Sequence, residues 1–420
     1  MSHRLTVPFT ALLWVGAAVV HATTLGPEIV VSALDNEQGW PAVAFAEGPD
    51  EYLVVWHNRW GGDYYDIYAQ RISAEGTILT WFSIASLPND SRWPAVAYDP
   101  SRDRYLVVWS YDSLGDGSDW DVRGRFIPRL GPDPSLTDFT LDSGSGSQVT
   151  PKTEFALAQD EFMVVWTNEY QVGPPDIAAR RVFADGSGFP DSRFQVSGGV
   201  NPRLDADIAY NLARNEFLIA FQAWVPTPVD SFEIHGVRMT ATGVILGGGE
   251  LEIATLPSDD TQPAVASCHE LDGYLVAWSS FEPDIYARFV TGDGVLDGPP
   301  IHIEDNLYPD QLPDVACSLD GARYLVAWQT EYAFGLNGVW ARDVMPSHVA
   351  GPPFRIVVPT STSESTAPAV AGGAGGFMIT WEHEREGTSY VDIHARTADP
   401  GLFQDGFESG DTTHWSSVVP

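Results

Sequence analysis

The sequence predicts an all-β protein: a seven-bladed β-propeller of four-stranded blades, closed by an N-terminal strand that completes the last blade. Three observations predict it. The string Tyr52-Leu-Val-Val-Trp56 returns as Tyr105-Leu-Val-Val-Trp109, Phe162-Met-Val-Val-Trp166, Phe217-Leu-Ile-Ala-Phe221, Tyr274-Leu-Val-Ala-Trp278, Tyr324-Leu-Val-Ala-Trp328 and Phe377-Met-Ile-Thr-Trp381. The steps between the last residues of these strings are 53, 57, 55, 57, 50 and 53, which suits a blade built from short strands. Repeats carry up to four strand signals, and the one missing from the seventh has a spare counterpart ahead of the first.

The first signal is a run of small residues after a proline. It reads Pro41-Ala-Val-Ala44, Pro94-Ala-Val-Ala97, Pro263-Ala-Val-Ala266, Pro313-Asp-Val-Ala316 and Pro368-Ala-Val-Ala371. The third repeat has Pro151-Lys-Thr-Glu-Phe155 instead, and the fourth Ala206-Asp-Ile-Ala209. Proline opens a strand without removing a ladder bond. Small side chains suit the narrow inner end of a blade, where seven sheets crowd around an axis. The second signal is the opening string, apolar on both alternating faces and therefore covered on both. Short polar turns such as Glu47-Gly-Pro-Asp50 join the first signal to the second, as in hairpins.

The third signal is Asp66-Ile-Tyr-Ala-Gln-Arg71 and its relatives, among them Asp121-Val-Arg-Gly-Arg125, Asp176-Ile-Ala-Ala-Arg180, Asp284-Ile-Tyr-Ala-Arg288 and Asp392-Ile-His-Ala-Arg396. Period two places Ile and Ala on one face. An Asp that recurs in five of seven repeats is expected to cap turns or bridge strands, since a single catalytic site has no use for five. The fourth signal is a shorter alternating strand, as in Phe194-Gln-Val196 and Ile301-His-Ile303. The seventh repeat lacks it after Arg396, and the spare Glu28-Ile-Val-Val-Ser32 precedes the first. Moving that strand into the last blade locks the ring and leaves no open edge between first and last blades. The order within a blade follows: small-residue strand innermost, fourth strand outermost, closed body from Glu28 to Arg396.

The expected organisation is a signal peptide over residues 1–22, the propeller over 23–402 and a tail over 403–420. The start is cationic at Arg4, apolar from Val7 to Val20, and ends in small residues at Val20 and Ala22. That pattern predicts export, with cleavage near Ala22, and the run is short for a membrane span. Secretion or cell-surface display is the expected location, with no membrane insertion after cleavage. At 44% hydrophobic residues with 15 Trp, the chain can fill a core despite its charge. Removing Arg4 leaves 57 acidic against 21 basic residues, and Lys152 is the only lysine. Such a charge repels phosphate backbones and argues against nucleic acid as a partner. Cys268 and Cys317 fall 10 and 11 residues before the Trp of the fifth and sixth repeats. A disulfide is allowed in an exported protein; two separate buried thiols are the alternative. The one-residue offset favours the latter, because it turns the side chains to opposite strand faces.

The unit made of Pro-Ala-Val-Ala, Tyr-Leu-Val-Val-Trp and Asp-Ile-Tyr-Ala-Arg resembles the repeats of exported bacterial β-propeller proteins of unassigned function. The resemblance covers nearly the whole mature chain and implies the fold; propellers host unrelated activities. The tail Phe403-Gln-Asp-Gly-Phe-Glu-Ser-Gly-Asp-Thr-Thr-His-Trp415 is similar to a short Gly-Phe-Glu-Ser-Gly segment common near the C-termini of secreted bacterial proteins.

Function is sought in the loops between second and third strands, the most varied segments on a rigid ring. Their aromatics and acids suit sugar or peptide recognition, rings stacking on apolar faces while carboxylates accept hydrogen bonds. The candidate ligand-binding residues are Trp60, Tyr64, Trp120, Tyr170, Trp224, Glu331, Tyr332, His383 and Glu384. Asp112, Asp116 and Asp119, with Asp121, offer oxygens to a hard cation such as calcium, though not at EF-hand spacing. No cofactor is required. Catalysis has little support: there is no Gly-x-Ser-x-Gly elbow, and His383-Glu384 lacks the second His of a zinc-helix motif. The leading expectation is a secreted binding or interaction module for extracellular carbohydrate or protein. The alternatives are an extracellular carbohydrate-active hydrolase or lyase, and a calcium-stabilised structural surface protein.

Overall fold

The computed structural model describes residues 23–59, 64–170, 172–226, 230–254, 259–268, 271–281, 284–304, 307–321, 323–332, 336–360 and 363–400. The segment expected to be a signal peptide, the tail and Trp60 lie outside them. The described residues form strands and turns, with no helix. The strands make seven antiparallel sheets, six of them built from four consecutive strands. In blade 1 the inner strand is Gln38–Ala46, followed outward by Glu51–Arg59, Tyr65–Ser73 and Ile78–Ala85. Blade 7 contains Ser365–Gly372, Phe377–Glu384 and Val391–Pro400, and the N-terminal Ile29–Ser32 pairs with the outer edge of the last. Closure extends further than the expected Glu28-to-Arg396 body, because Thr23–Leu25 also pairs there, Thr23 opposite Pro400.

The aromatic strings are the core. Val54 and Trp56 pack against Met378 and Ile393 of blade 7, while Leu53 and Val55 pack against Tyr105, Val107 and Trp109 of blade 2. The same sandwich recurs around the ring, so each hydrophobic core lies between two blades. Fully burying one such side chain is worth about 1.5–3 kcal/mol. Stability is therefore held chiefly at blade interfaces.

The recurring charged residues have structural partners. Arg125 donates to the Ile84 carbonyl at 2.6 Å, Arg288 to that of Ile253 at 2.9 Å and Arg342 to that of Ile303 at 2.5 Å; Arg180 does the same to Leu141. Each guanidinium thus reaches from a third strand to the outer strand of the blade before it. Arg396 of blade 7 instead meets Glu28, which also bonds His394 at 2.6 Å, and this ties the two chain ends. The recurring Asp bridges strands: Asp176 accepts from Asn168 and Tyr170, and Asp392 from Arg385.

Cys268 and Cys317 form a disulfide, with Cα atoms 5.4 Å apart. The offset argument fails for a local reason. Cys268 sits one residue beyond the inner strand Asp260–Ser267, so strand alternation does not fix its direction. The bond joins blades 5 and 6 and closes 49 residues. Chain-entropy reasoning assigns such a loop about 4 kcal/mol. Replacing both cysteines by serine is expected to lower the unfolding free energy in denaturant by roughly that amount, with the loss matched by reductant on the parent. An unchanged midpoint would show that the bond contributes little.

Candidate functional site in the axial channel

One conformational feature repeats seven times. The residue directly before the first residue of each small-residue run has positive φ: Trp40 (50°), Trp93 (52°), Thr150 (51°), Asp205 (51°), Gln262 (54°), Leu312 (50°) and Ala367 (47°). In every blade the register with the second strand shifts at this point, between Gly39 and Ala42 in blade 1, for example. These are β-bulges with a non-glycine residue in the left-handed region, in six cases directly before a proline. In four of them a side chain from the blade before accepts from the bulge N–H. Glu382 accepts from Trp40 N at 2.7 Å, Thr167 from Asp205 N at 3.1 Å, Gln222 from Gln262 N at 3.1 Å and Gln329 from Ala367 N at 3.3 Å. Each acceptor immediately follows the aromatic that ends its string.

The seven bulges surround an axial cavity of about 370 Å³, lined by the start of every inner strand. Its mouth lies on the face that carries the loops between second and third strands, because each inner strand begins beside the end of its second strand. Trp40, 45% exposed, and the half-buried Trp93 stand at the rim. Below them the position after the proline is Ala42, Ala95, Ala264 or Ala369 in four blades, but Lys152, Asp207 and Asp314 in the others. Two residues on, six blades have Ala and blade 3 has Glu154. The charged groups of the channel are therefore Lys152, Glu154, Asp205, Asp207 and Asp314.

Their contacts divide into anchored and open. Asp207 accepts from Val265 N at 2.8 Å and Asp314 from Val370 N at 2.6 Å, each capping the inward edge of the next blade. By the same register, the N–H groups of Val43, Val96, Thr153, Ile208 and Val315 face the axis. Lys152 Nζ lies 3.8 Å from Asp207, and its side chain is 47% accessible because the channel around it is hollow. Burial works against its charge, but Asp207, Asp314 and Asp205 outweigh burial and hold the ammonium above its ordinary pKa. Burial pushes Glu154 up to about 7, with Asp207 adding, and pushes Asp314 up to about 6. The arrangement mixes hydrogen-bond donors with carboxylate acceptors beneath two indoles.

The residues expected from the loops are not gathered into one site, and none lines this cavity. Trp120 is buried, its ring 5.0 Å from Trp93 and its Nε1 donating to Gly117. Tyr64 is exposed, and Tyr170 donates its hydroxyl to Asp176 at 2.7 Å. Trp224 packs edge-on against Phe232. Glu331 bonds the Pro309 carbonyl through its backbone, and Tyr332 accepts from Trp340 Nε1 at 2.7 Å. His383 pairs with Ser365 and stacks near His394, while Glu384 bonds Glu364 through its backbone. Most of these side chains pin their loops to the ring. Asp112 accepts from Gly115 and Gly117, Asp116 from Ser118 and Asp119 from Ser113, so these acids order one turn. Among the described residues no three His, Cys, Asp or Glu side chains converge as a metal group.

No protein-family model matches the sequence, and no curated protein matches it. Solved structures match over most of the chain. A fungal alcohol oxidase in complex with copper aligns with 91% of this chain and 78% of its own, at TM-score 0.56 and 11% identity. A Hadza microbial sialidase aligns with 86% of this chain and 66% of its own, at TM-score 0.51 and 9% identity. A protein of unknown function from Dyadobacter fermentans aligns with 90% of this chain and 99% of its own, at TM-score 0.50 and 11% identity. At these identities the likeness is one of fold.

Glu154 gives the site a pH signature. Its folded-state pKa lies above the reference 4.5, so between 4.5 and about 7 the folded chain holds a proton that the unfolded chain has released. The burial penalty is absent at low pH and grows as pH rises through this window. Glu154→Gln removes it. The variant's gain in melting temperature over the parent is expected to be larger at pH 8 than at pH 5. Equal gains at both would contradict the assignment.

Proposed function

We propose that the protein is an exported binding module that takes a small polyhydroxylated ligand, a saccharide unit, into the axial channel. The observation that carries this reading is the composition of the channel: carboxylates, one ammonium and inward N–H groups beneath two rim tryptophans. A sugar hydroxyl both donates and accepts, so it matches a mixed lining better than an apolar or singly charged ligand does. Indole faces suit the apolar face of a pyranose. The cavity falls within the ordinary size of small-ligand sites. Export is supported by the N-terminal segment and by the disulfide, a bond that persists in oxidising compartments.

A carbohydrate-active enzyme is the second reading, favoured by one observation. Glu154 is held protonated near neutral pH beside Asp207, as a general acid needs to be. Against it, Asp207 and Asp314 are engaged by backbone N–H groups and Asp207 also by Lys152, which fits acceptors held in place.

A glycan array on the mature protein, read for both binding and released product, separates the two. Binding without product is expected. Trp40→Ala is expected to weaken it about fivefold to tenfold, roughly 1–1.4 kcal/mol, with an unchanged melting temperature, since blade 7 already carries Ala367 at this position. Product release that Glu154→Gln abolishes favours the enzyme. Silence in both channels removes both readings.

A further inference from the structure

The charge of the channel narrows the ligand class, a step that rests on the saccharide reading above. We infer that the channel selects amine-bearing saccharides, seating the ligand's ammonium among Glu154, Asp205 and Asp314, and rejects saccharides that carry carboxylates. Four carboxylates face one ammonium in this cavity, a formal charge of −3 when all are ionised. Lys152 lies nearest Asp207, at 3.8 Å, and is drawn also by Asp314 and Asp205, so one ammonium serves four carboxylates. Asp314 has one oxygen on Val370 N, and Glu154 has one on the neighbouring Phe155 N at 3.1 Å. Asp314 also takes a hydrogen bond from Val315 N, and both carboxylates keep lone pairs that a cation can share.

Thr153, between Lys152 and Glu154, is 8% exposed, and its side chain packs on the strand face opposite theirs. At the mouth, an indole face such as that of Trp40 also attracts a cation, and an incoming carboxylate meets only repulsion from the four acids. The charge is local to two neighbouring blades and one opposite. In the remaining four, the position after the proline is Ala and so is the position two residues on.

The single lysine makes the test direct. Reductive methylation with a carbon-13 label keeps the charge and places one ε-amine reporter in the channel. The probes are a glucosamine tetramer, its N-acetylated counterpart, a glucuronic acid oligomer and spermidine, followed by calorimetry and by the Lys152 methyl signal. The glucosamine tetramer is expected to bind at least tenfold tighter than the acetylated one and to shift the Lys152 signal. The glucuronic acid oligomer is expected not to bind. In the double variant Glu154→Gln and Asp314→Asn, which keeps the acceptor for Val370 N, the preference is expected to fall below threefold. Equal affinity for the two tetramers overturns the inference and leaves the saccharide reading intact. A preference that survives in the double variant also overturns it, because the seat then lies elsewhere. Spermidine binding as tightly as the glucosamine tetramer keeps amine selection and removes the saccharide reading. Failure of every probe removes both.

Discussion

The structure depends on a bulge at the head of each inner strand. At that point each inner strand departs from a plain ladder with its second strand. A left-handed residue, followed by proline in six of the seven, turns the strand at the rim, and in four blades the blade before holds the turn through a side chain, Glu382, Thr167, Gln222 or Gln329. Strain of this kind costs of order 1–3 kcal/mol per residue and persists only where the surroundings over-determine it. Here the neighbouring blade supplies that determination. The cavity is a consequence: small residues below the bulge leave a hollow, and any larger or charged residue placed there projects into it.

This accounts for the uneven legibility of the sequence. Blade number, strand order and closure were readable because each is repeated, and repetition turns a weak local pattern into a count. The aromatic strings could be assigned to the core from their two apolar faces alone. The channel residues were readable in principle by the opposite logic. Lys152, Glu154, Asp207 and Asp314 stand where the other repeats have alanine, and the sole lysine in a strongly acidic chain interrupts the most regular signal of all. A search for varied loops passes over them, since they sit in the strand expected to be the plainest.

The loop side chains have structural partners for a physical reason. Exposed position and aromatic character are properties a binding surface shares with a loop that has to be pinned. Trp120 against Trp93, Tyr170 on Asp176 and Tyr332 under Trp340 are uses of the second kind. The bulges were hidden differently. No residue type marks them, since Trp, Thr, Asp, Gln, Leu and Ala all occupy the position. In four blades the partner is the polar residue after the string aromatic of the blade before, which only the folded ring brings near.

One recurring arginine contact has a direction. Arg125, Arg180, Arg288 and Arg342 all reach back to a carbonyl of the preceding blade, never forward. Blade 1 has Gln70 at the equivalent register, and its predecessor is the blade made last. Through this contact a blade emerging during synthesis can be fastened to one already complete, while Arg181 and Arg238 reach forward to the Thr242 and Asp293 carbonyls of the next blade. Only the final step, in which Arg396 and His394 find Glu28, joins a late segment to an early one. The N-terminal strand has to wait unpaired until then, so the chain carries one exposed edge through most of its own folding.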